Sequence, residues 1–169
     1  MKLRRLELDD APFMLEWMHE KSIIYELKND FYNKTLDDCR NFIRTSWNET
    51  NNLNLAIVDN NNIYMGTVSL KNITLISAEF AIVIRKIAMG SGLSKYAMQE
   101  IIRIGFEKFK LKKIYWCVRT ENKRALKFYD KNEYQRINIC NSELLNIILS
   151  MKNYTEEQIF NYIWYEIKV

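Results

Sequence analysis

Residues 89–98 read MGSGLSKYAM and hold two of the chain's four glycines, Gly90 and Gly92, one residue apart. An apolar run, FAIVIR, precedes them, and a helical pattern followed by a second apolar run comes after. A glycine pair at a strand-to-helix junction bares backbone amides, and the helix N-terminus adds unpaired N–H groups and partial positive charge. The chemistry this suits is the binding of a phosphate. The alternative is a tight turn that needs glycine only for its backbone angles. Two familiar phosphate motifs do not fit. A dinucleotide fingerprint would place its third glycine where Lys95 stands, and a P-loop needs four residues between its glycines, where this chain has only Ser91.

Other chemistries are narrowed by scarcity. There are three cysteines (Cys39, Cys117 and Cys140) and one histidine, His19. The cysteine count is odd and no pair has C-x-x-C spacing, so neither a disulfide framework nor a metal site is expected. A Ser-His-Asp triad would have to use His19. That residue follows Trp17 and Met18 at the end of a first helical stretch, where a solvated histidine suits the helix C-terminus. Cys117, mid-strand in YWCV, reads as a small hydrophobe.

The 169 residues are 48% hydrophobic and 27% charged, enough for one well-buried core. We therefore expect a single domain over residues 1–169. The longest apolar run, FAIVI, is far short of the roughly 20 residues of a membrane span. The start, MKLRRLELDD, lacks a signal peptide's apolar stretch. Cytoplasmic placement with no membrane partner is expected. The net charge of +4 is modest and its basic residues are mixed with acids. A nucleic-acid binder would show a denser stripe, so none is expected. A slightly basic surface does suit a phosphorylated small molecule.

The elements that would position the loop can be read in order. KLRRLEL reads as a first strand, and Asp9 and Asp10 before Pro12 read as a helix start. Thr35 opens a second helix with Leu36, Cys39, Phe42, Ile43 and Trp47 on its apolar stripe. LNLAIVD, IYMGTVSL and SAEFAIVIR read as an antiparallel meander, with Asn60–Asn62 at its first turn. After Gly92, Lys95, Gln99, Arg103 and Glu107 form one face of an amphipathic helix of about 16 residues. KKIYWCV reads as a buried strand and ENKRALKFYDK as a helix capped by Asn122. YQRINIC and LLNIILSM read as two more strands. Thr155 with Gln158 makes a capping box for a last helix over about 155–167. The aromatic tail from Ile159 to Trp164 would cover the sheet or a partner subunit, so a homodimer is compatible with it. The fold class is mixed α/β (α+β): a twisted, mostly antiparallel sheet of about six or seven strands with helices on both faces.

The segment AEFAIVIRKIAMGSGLSKYAM, then IYWCV, then N-x-x-A-x-x-x-Y at Asn122, Ala125 and Tyr129 resembles the GNAT superfamily of acetyl-CoA-dependent N-acetyltransferases. The likeness extends to the branch that includes ribosomal-protein and amino-sugar N-acetyltransferases. It covers roughly residues 1–151 in element order and is most specific between Glu79 and Tyr134, with a cofactor-binding core over about 79–135. The family's loop pattern is Q/R-x-x-G-x-G/A, which falls here on Met89, Gly92 and Ser94. Met89 has no side-chain donor to offer, whereas Ser94 stays small. The resemblance implies that the amides from Met89 through Gly90, Ser91, Gly92, Leu93 and Ser94 hold the pyrophosphate of acetyl-CoA. The family's N-G-Y is here Asn132-Glu133-Tyr134, which loses a glycine where a left-handed turn is expected.

The same resemblance implies a mechanism without an enzyme nucleophile, because the amine attacks the thioester directly. The main chain of Ile82, Val83 and Ile84 would hold pantetheine as a false strand, their side chains being core. Asn122, Ala125 and Tyr129 share one face of a helix, and Tyr129 would donate a proton to the departing thiolate. Packing is the alternative role for Tyr129. Glu79, in an otherwise apolar strand, would accept the amine's proton directly or through water. A surface ion pair with a lysine is its alternative. Trp116 and Tyr115 must point to opposite faces, and the spacing leaves open which borders the cofactor.

The acceptor would be read by the first helices and by Ser22–Lys34, where Tyr25, Glu26, Asp30, Phe31 and Tyr32 offer acids and aromatics. An amino sugar, nucleotide-linked or free, or another small amine is the leading expectation, with Arg40 and Arg44 available to a nucleotide-linked one. A protein N-terminus or ribosomal protein is the next, and antibiotic or polyamine acceptors follow. A non-catalytic CoA-binding or partner-binding domain is the reading from a different class, motivated by Met89 and Ser94.

Overall fold

The computed structural model describes residues 1–25, 27 and 31–169. Its elements are β1 (Lys2–Arg5), α1 (Ala11–Met18), α2 (Lys21–Ile24), α3 (Leu36–Ser46), β2 (Leu53–Val58), β3 (Tyr64–Lys71), β4 (Ser77–Ile84), α4 (Leu93–Glu107), β5 (Lys113–Val118), α5 (Lys123–Lys131), β6 (Arg136–Ile137), α6 (Leu144–Met151), α7 (Glu156–Asn161) and β7 (Ile163–Lys168). The chain divides into two compact units, Met1–Ile114 and Tyr115–Val169, and β5 crosses the boundary.

In the first unit the expected meander is present. Strands β1 to β4 lie in sequence order and pair antiparallel throughout. Asn62, at φ +63°, supplies the left-handed residue of the β2–β3 turn. The core gathers Leu6, Met14 and Trp17 with Ile43 of α3 and Tyr64 of β3. Two expected features carry over into α1 and α3. Pro12 sits in the first turn of α1, and Thr35 with Asp38 closes a capping box at α3. Of the expected α3 stripe, Cys39 and Ile43 are buried, but Phe42 is 39% exposed. Trp47 lies just beyond the helix, where its indole donates to the Leu6 carbonyl at 2.8 Å. The first strand is shorter than expected. It stops at Arg5, and a 3-10 turn over Leu8–Asp10 leads into α1. Asp10 stops the strand there by accepting two bonds from Arg4 at 2.8 Å and one from the Glu7 amide.

In the second unit β7 lies between β5 and β6. Asn122 caps α5 as expected, accepting from the Ala125 amide at 2.9 Å. Two expectations are corrected here. LLNIILSM is helix α6, not a strand: Leu144 and Ile148, one turn apart, are its buried pair. The last helix does not run over about 155–167. Its Thr155/Gln158 capping box forms, but α7 ends at Asn161 and Tyr162 turns extended (φ −87°, ψ +156°). Ile163–Lys168 is strand β7, paired antiparallel with β6 through Arg136↔Tyr165 and Ile137↔Trp164. The aromatic tail thus contributes cross-strand packing. YQRINIC yields only the two-residue β6, because Asn138 caps a 3-10 turn over Ile139–Asn141.

Glu133 adopts φ +62°, the left-handed conformation expected at that site. The chain turns there because the Tyr134 amide reaches back to the Tyr129 carbonyl at 3.1 Å. A non-glycine residue in this conformation costs about 1 kcal/mol. Glu133→Gly should therefore raise the unfolding free energy by about that amount, read as a higher urea midpoint at unchanged slope. A lower midpoint would show that the Glu133 side chain contributes more than its backbone strain costs.

Candidate active site

The loop after β4 is anchored at its first residue. The Arg85 guanidinium is buried and bonds both oxygens of Glu16, at 2.7 and 3.1 Å. It also donates to the Tyr64 carbonyl at 2.9 Å and stands 4.5 Å from the Phe13 ring centroid. The Arg85 amide in turn donates to the Met65 carbonyl. This anchor fixes the strand end from which the loop departs. The Tyr64 hydroxyl is itself pinned, between the Trp17 indole at 3.2 Å and Thr67 at 2.7 Å. Burial pushes that phenol well above its ordinary pKa.

A 3-10 turn over Lys86–Ala88 follows, and then the glycines. Gly90 has φ +80° and Gly92 φ +86°, the left-handed region where a side chain is strained. A Cβ on either would meet nothing within 4 Å. The glycines therefore serve the turn and also face open space. Gly92 sits at the N-cap of α4 with no side-chain cap. The Ser91 hydroxyl bonds the Ala88 carbonyl at 2.6 Å and receives the Leu93 amide at 3.4 Å. Among the described residues, the amides of Gly92, Ser94 and Lys95 have no acceptor. They open a helix of 15 residues, so the field there favours an anion.

Met89 is half-buried and packs against the core cluster of Leu6, Trp17 and Tyr64. The sequence presents it only as a lost donor, whereas here it anchors the loop by burial. Ser94 is half-buried and Leu93 buried. Ile82 and Val83 are half-buried and Ile84 is buried, paired in register with Val68, Thr67 and Gly66 of β3. A Cβ on Gly66 would lie 2.3 Å from the Val83 carbonyl oxygen. Glycine there lets β3 approach the main chain that the family resemblance assigns to pantetheine.

Glu79 lies near the start of β4, half-buried, with Lys71 opposite in register. Among the described residues its carboxylate accepts from the Asn72 side-chain amide at 3.2 Å. It therefore keeps one oxygen clear of that contact.

In the second unit Asn122 and Tyr129 are buried and Ala125 half-buried, on one face of α5. The Tyr129 ring packs 5.2 Å from Trp116 and 5.1 Å from Tyr165, centroid to centroid. Burial raises its pKa well above the ordinary phenol value. Tyr115 instead meets Trp164 at 6.4 Å. The two neighbours on β5 do point to opposite faces, and Trp116 is the one beside Tyr129. Cys117 is half-buried against the cluster around Tyr115 and Trp164, as a hydrophobe would be.

Tyr165 escapes the sequence reading. It stacks on Trp116 at 5.4 Å with the planes 5° apart, and its hydroxyl donates to Asp130 at 3.0 Å. Asp130 is held by Arg136 through bonds of 2.9 and 2.6 Å, which lower its pKa. Burial pushes the Tyr165 phenol up to about 12. Its signal would have been the alternation in IWYEIK, hidden by the helical pattern assigned to the tail.

Of the residues expected to read the acceptor, Tyr25 and Tyr32 are exposed and Phe31 is half-buried beside Trp17. Glu26 and Asp30 lie outside the described residues. His19 stands exposed at the end of α1, its Nε2 3.0 Å from the Lys34 carbonyl. Arg40 and Arg44 bond locally to Asp37 and Asn41. Among the described residues no helix is long and apolar enough to cross a membrane.

A family model described as an acetyltransferase (GNAT) domain matches residues 1–135. No curated protein sequence matches the chain. Among solved structures, the chain is similar to a spermidine N-acetyltransferase from Vibrio cholerae in complex with CoA and spermine. The identity is 19% and the TM-score 0.77, over 99% of this chain and 94% of that one. An acetyltransferase of the GNAT family from Bacillus anthracis aligns with TM-score 0.72 and 18% identity, over 98% and 93% of the two chains. The N-acetyltransferase PseH from Campylobacter jejuni gives 0.65 and 18%, over 99% and 96%. These likenesses show the mixed α/β fold with its mostly antiparallel sheet that the sequence led us to expect.

Proposed function

The chain belongs to the GNAT acetyltransferase family, and from that premise we propose that it moves an acetyl group from acetyl-CoA to a primary amine by direct attack. The observation that carries this is the loop at Gly90 and Gly92: left-handed, open on its outer side, and leading into unpaired amides at the start of α4. A pyrophosphate needs that donor set, and no side chain there has to supply charge. The fold's likeness to a CoA-bound structure supports the same reading.

In this reading the loop from Gly90 to Ser94 holds the pyrophosphate, led by the amides of Gly92 and Ser94 that have no other acceptor among the described residues, and Met89 keeps the loop in place. The main chain of Ile82, Val83 and Ile84 orients the pantetheine arm, and Asn122 and Ala125 border it. Acetyl-CoA supplies the activated acyl group. Tyr129, protonated near neutral pH as a phenol ordinarily is, gives its proton to the departing sulfur, and the N–H proton lost as the amide forms returns to the Tyr129 oxygen. Glu79 removes a proton from the amine, which near neutral pH begins as an ammonium, with a reference pKa of about 10.4.

The acceptor we propose is a small-molecule amine, with amino sugars, free or nucleotide-linked, and polyamines as the classes to test. The spermine in the Vibrio structure favours a small amine over a protein N-terminus. A thiol-release assay across amino sugars, polyamines and N-terminal peptides tests this. Release driven by a small amine supports the reading. Release driven only by peptides moves the acceptor to proteins. Acetyl-CoA binding with no release under any amine makes the chain a non-catalytic CoA-binding domain.

Glu79→Gln keeps the size of the side chain and an acceptor for Asn72. It should lower kcat/KM by about a hundredfold. An unchanged rate would return Glu79 to a structural role on β4.

A further inference from the structure

The second unit holds a basic hollow that the acetyl-transfer reading does not use. Lys123, Lys127 and Lys131 are exposed on successive turns of α5 and line an open hollow of about 660 Å³. Arg136 and Thr120 also line it, and Leu126 and Ile163 give it an apolar part. By helical spacing, the lysine stripe is roughly opposite the face that carries Asn122, Ala125 and Tyr129.

The charge of this hollow is unbalanced. Four cations line it (Lys123, Lys127, Lys131, Arg136) against one carboxylate, Asp130, leaving three positive charges. Asp130 is already committed to Arg136 through two bonds and accepts from Tyr165 as well. Among the described residues none of the three lysines forms an ion pair, although the exposed Glu121 carboxylate is near enough to Lys123 to interact with it electrostatically. Like charges four residues apart oppose helix formation, and Lys123 at the first helical position opposes the helix dipole as well. The local structure thus works against this stripe from two directions, and a bound polyanion would relieve both.

We propose that this hollow binds an oligophosphate group, at a site distinct from the glycine loop. Successive lysines, four residues apart, are separated by about 6 Å along the helix, so two or three ammonium groups can reach one phosphate chain. Lysine serves phosphate as a point charge. Both a nucleoside polyphosphate and an inorganic oligophosphate carry this chemistry.

The test is calorimetry on the full chain with inorganic tripolyphosphate, in moderate salt. The comparisons are the Lys127→Glu/Lys131→Glu double variant and Gly92→Glu, each checked for fold by circular dichroism. The lysines are exposed, so their reversal should leave the fold intact. Saturable binding to one site is expected. The double variant should weaken it at least tenfold, whereas Gly92→Glu should change it less than twofold. Acetyl-CoA should show the reverse dependence. ATP binding more tightly than tripolyphosphate would place a base on Leu126 and Ile163 and identify a nucleotide. Equal binding would identify the phosphate chain alone.

Non-saturable uptake, or uptake indifferent to lysine reversal, overturns the site. Loss in Gly92→Glu would put the anion on the loop instead. An equal loss of acetyl-CoA binding in the double variant would make the hollow part of the donor site. A single-stranded oligonucleotide that outcompetes tripolyphosphate by orders of magnitude would make it a nucleic-acid surface. Because acetyl-CoA is read in parallel, failure of this site and failure of the acetyl-transfer reading give different results.

Discussion

Replacing Gly92 with glutamate should abolish acetyl-CoA binding while the chain stays folded. Two effects combine, and they can be separated. The first is backbone strain: Gly92 holds φ +86°, and a side chain in that conformation costs about 1–2 kcal/mol. The second is electrostatic. A carboxylate on Gly92 sits where the amides of Gly92, Ser94 and Lys95 would meet a pyrophosphate. At an effective dielectric near 20, two unit charges of like sign 4 Å apart repel by about 4 kcal/mol, close to a thousandfold in affinity. Nothing lies within 4 Å of the substituted Cβ, so neither effect is a clash and the fold should survive. Gly92→Ala isolates the strain. It should lower the melting temperature by a few degrees and weaken binding far less than Gly92→Glu. Calorimetry with acetyl-CoA, beside thermal melts of both variants, is the measurement. Full binding by Gly92→Glu would remove the loop from the donor site and leave its glycines as turn residues only.

The features legible in the sequence share a physical trait: their signals are local. The Asn122 cap, the period of α4 and the asparagines of the β2–β3 turn each depend on residues within one or two turns of chain. The left-handed Glu133 belongs with them, since a helix end needs that conformation whatever fills it. The misread features depend on the rest of the molecule. An apolar run as short as LLNIILSM suits a strand or a helix, and periodicity alone does not decide. Burial of Leu144 and Ile148 decides for α6. The capping box at Thr155 marks where α7 starts, but no glycine or proline marks its end, so the strand character of IWYEIK passed as helix. That error hid Tyr165, which joins the ring of Tyr129 to Asp130. Met89 shows the same limit in a loop. Its type excludes a donor, but only the packed core shows that burial is its task.

Tyr129→Phe should cut kcat by a hundredfold or more and leave the KM for acetyl-CoA nearly unchanged. The substitution removes one oxygen and keeps the ring that packs on Trp116 and Tyr165, so the fold should persist. The thiolate that leaves has a reference pKa of about 8.5, and a positioned acid contributes about 10²–10⁴ in rate. Burial keeps the phenol protonated, although it also makes it a weaker acid toward the thiolate. Its pKa is raised above the ordinary value of 10, so the proton is in place at every pH below that value. Tyr129 therefore contributes no descending limb to the wild-type profile below about pH 10. The loss in Tyr129→Phe should accordingly be constant from pH 6 to 9. Tyr165→Phe is the companion variant. It removes the hydroxyl that holds Asp130 at 3.0 Å and leaves the Tyr129 oxygen untouched. It should lower the melting temperature more than it lowers kcat. Wild-type turnover in Tyr129→Phe would make Tyr129 a packing residue, and the sulfur would then take its proton from water or another group. A loss that grows steeply with pH would instead assign the missing proton to a group that titrates in that range, which the buried phenol does not.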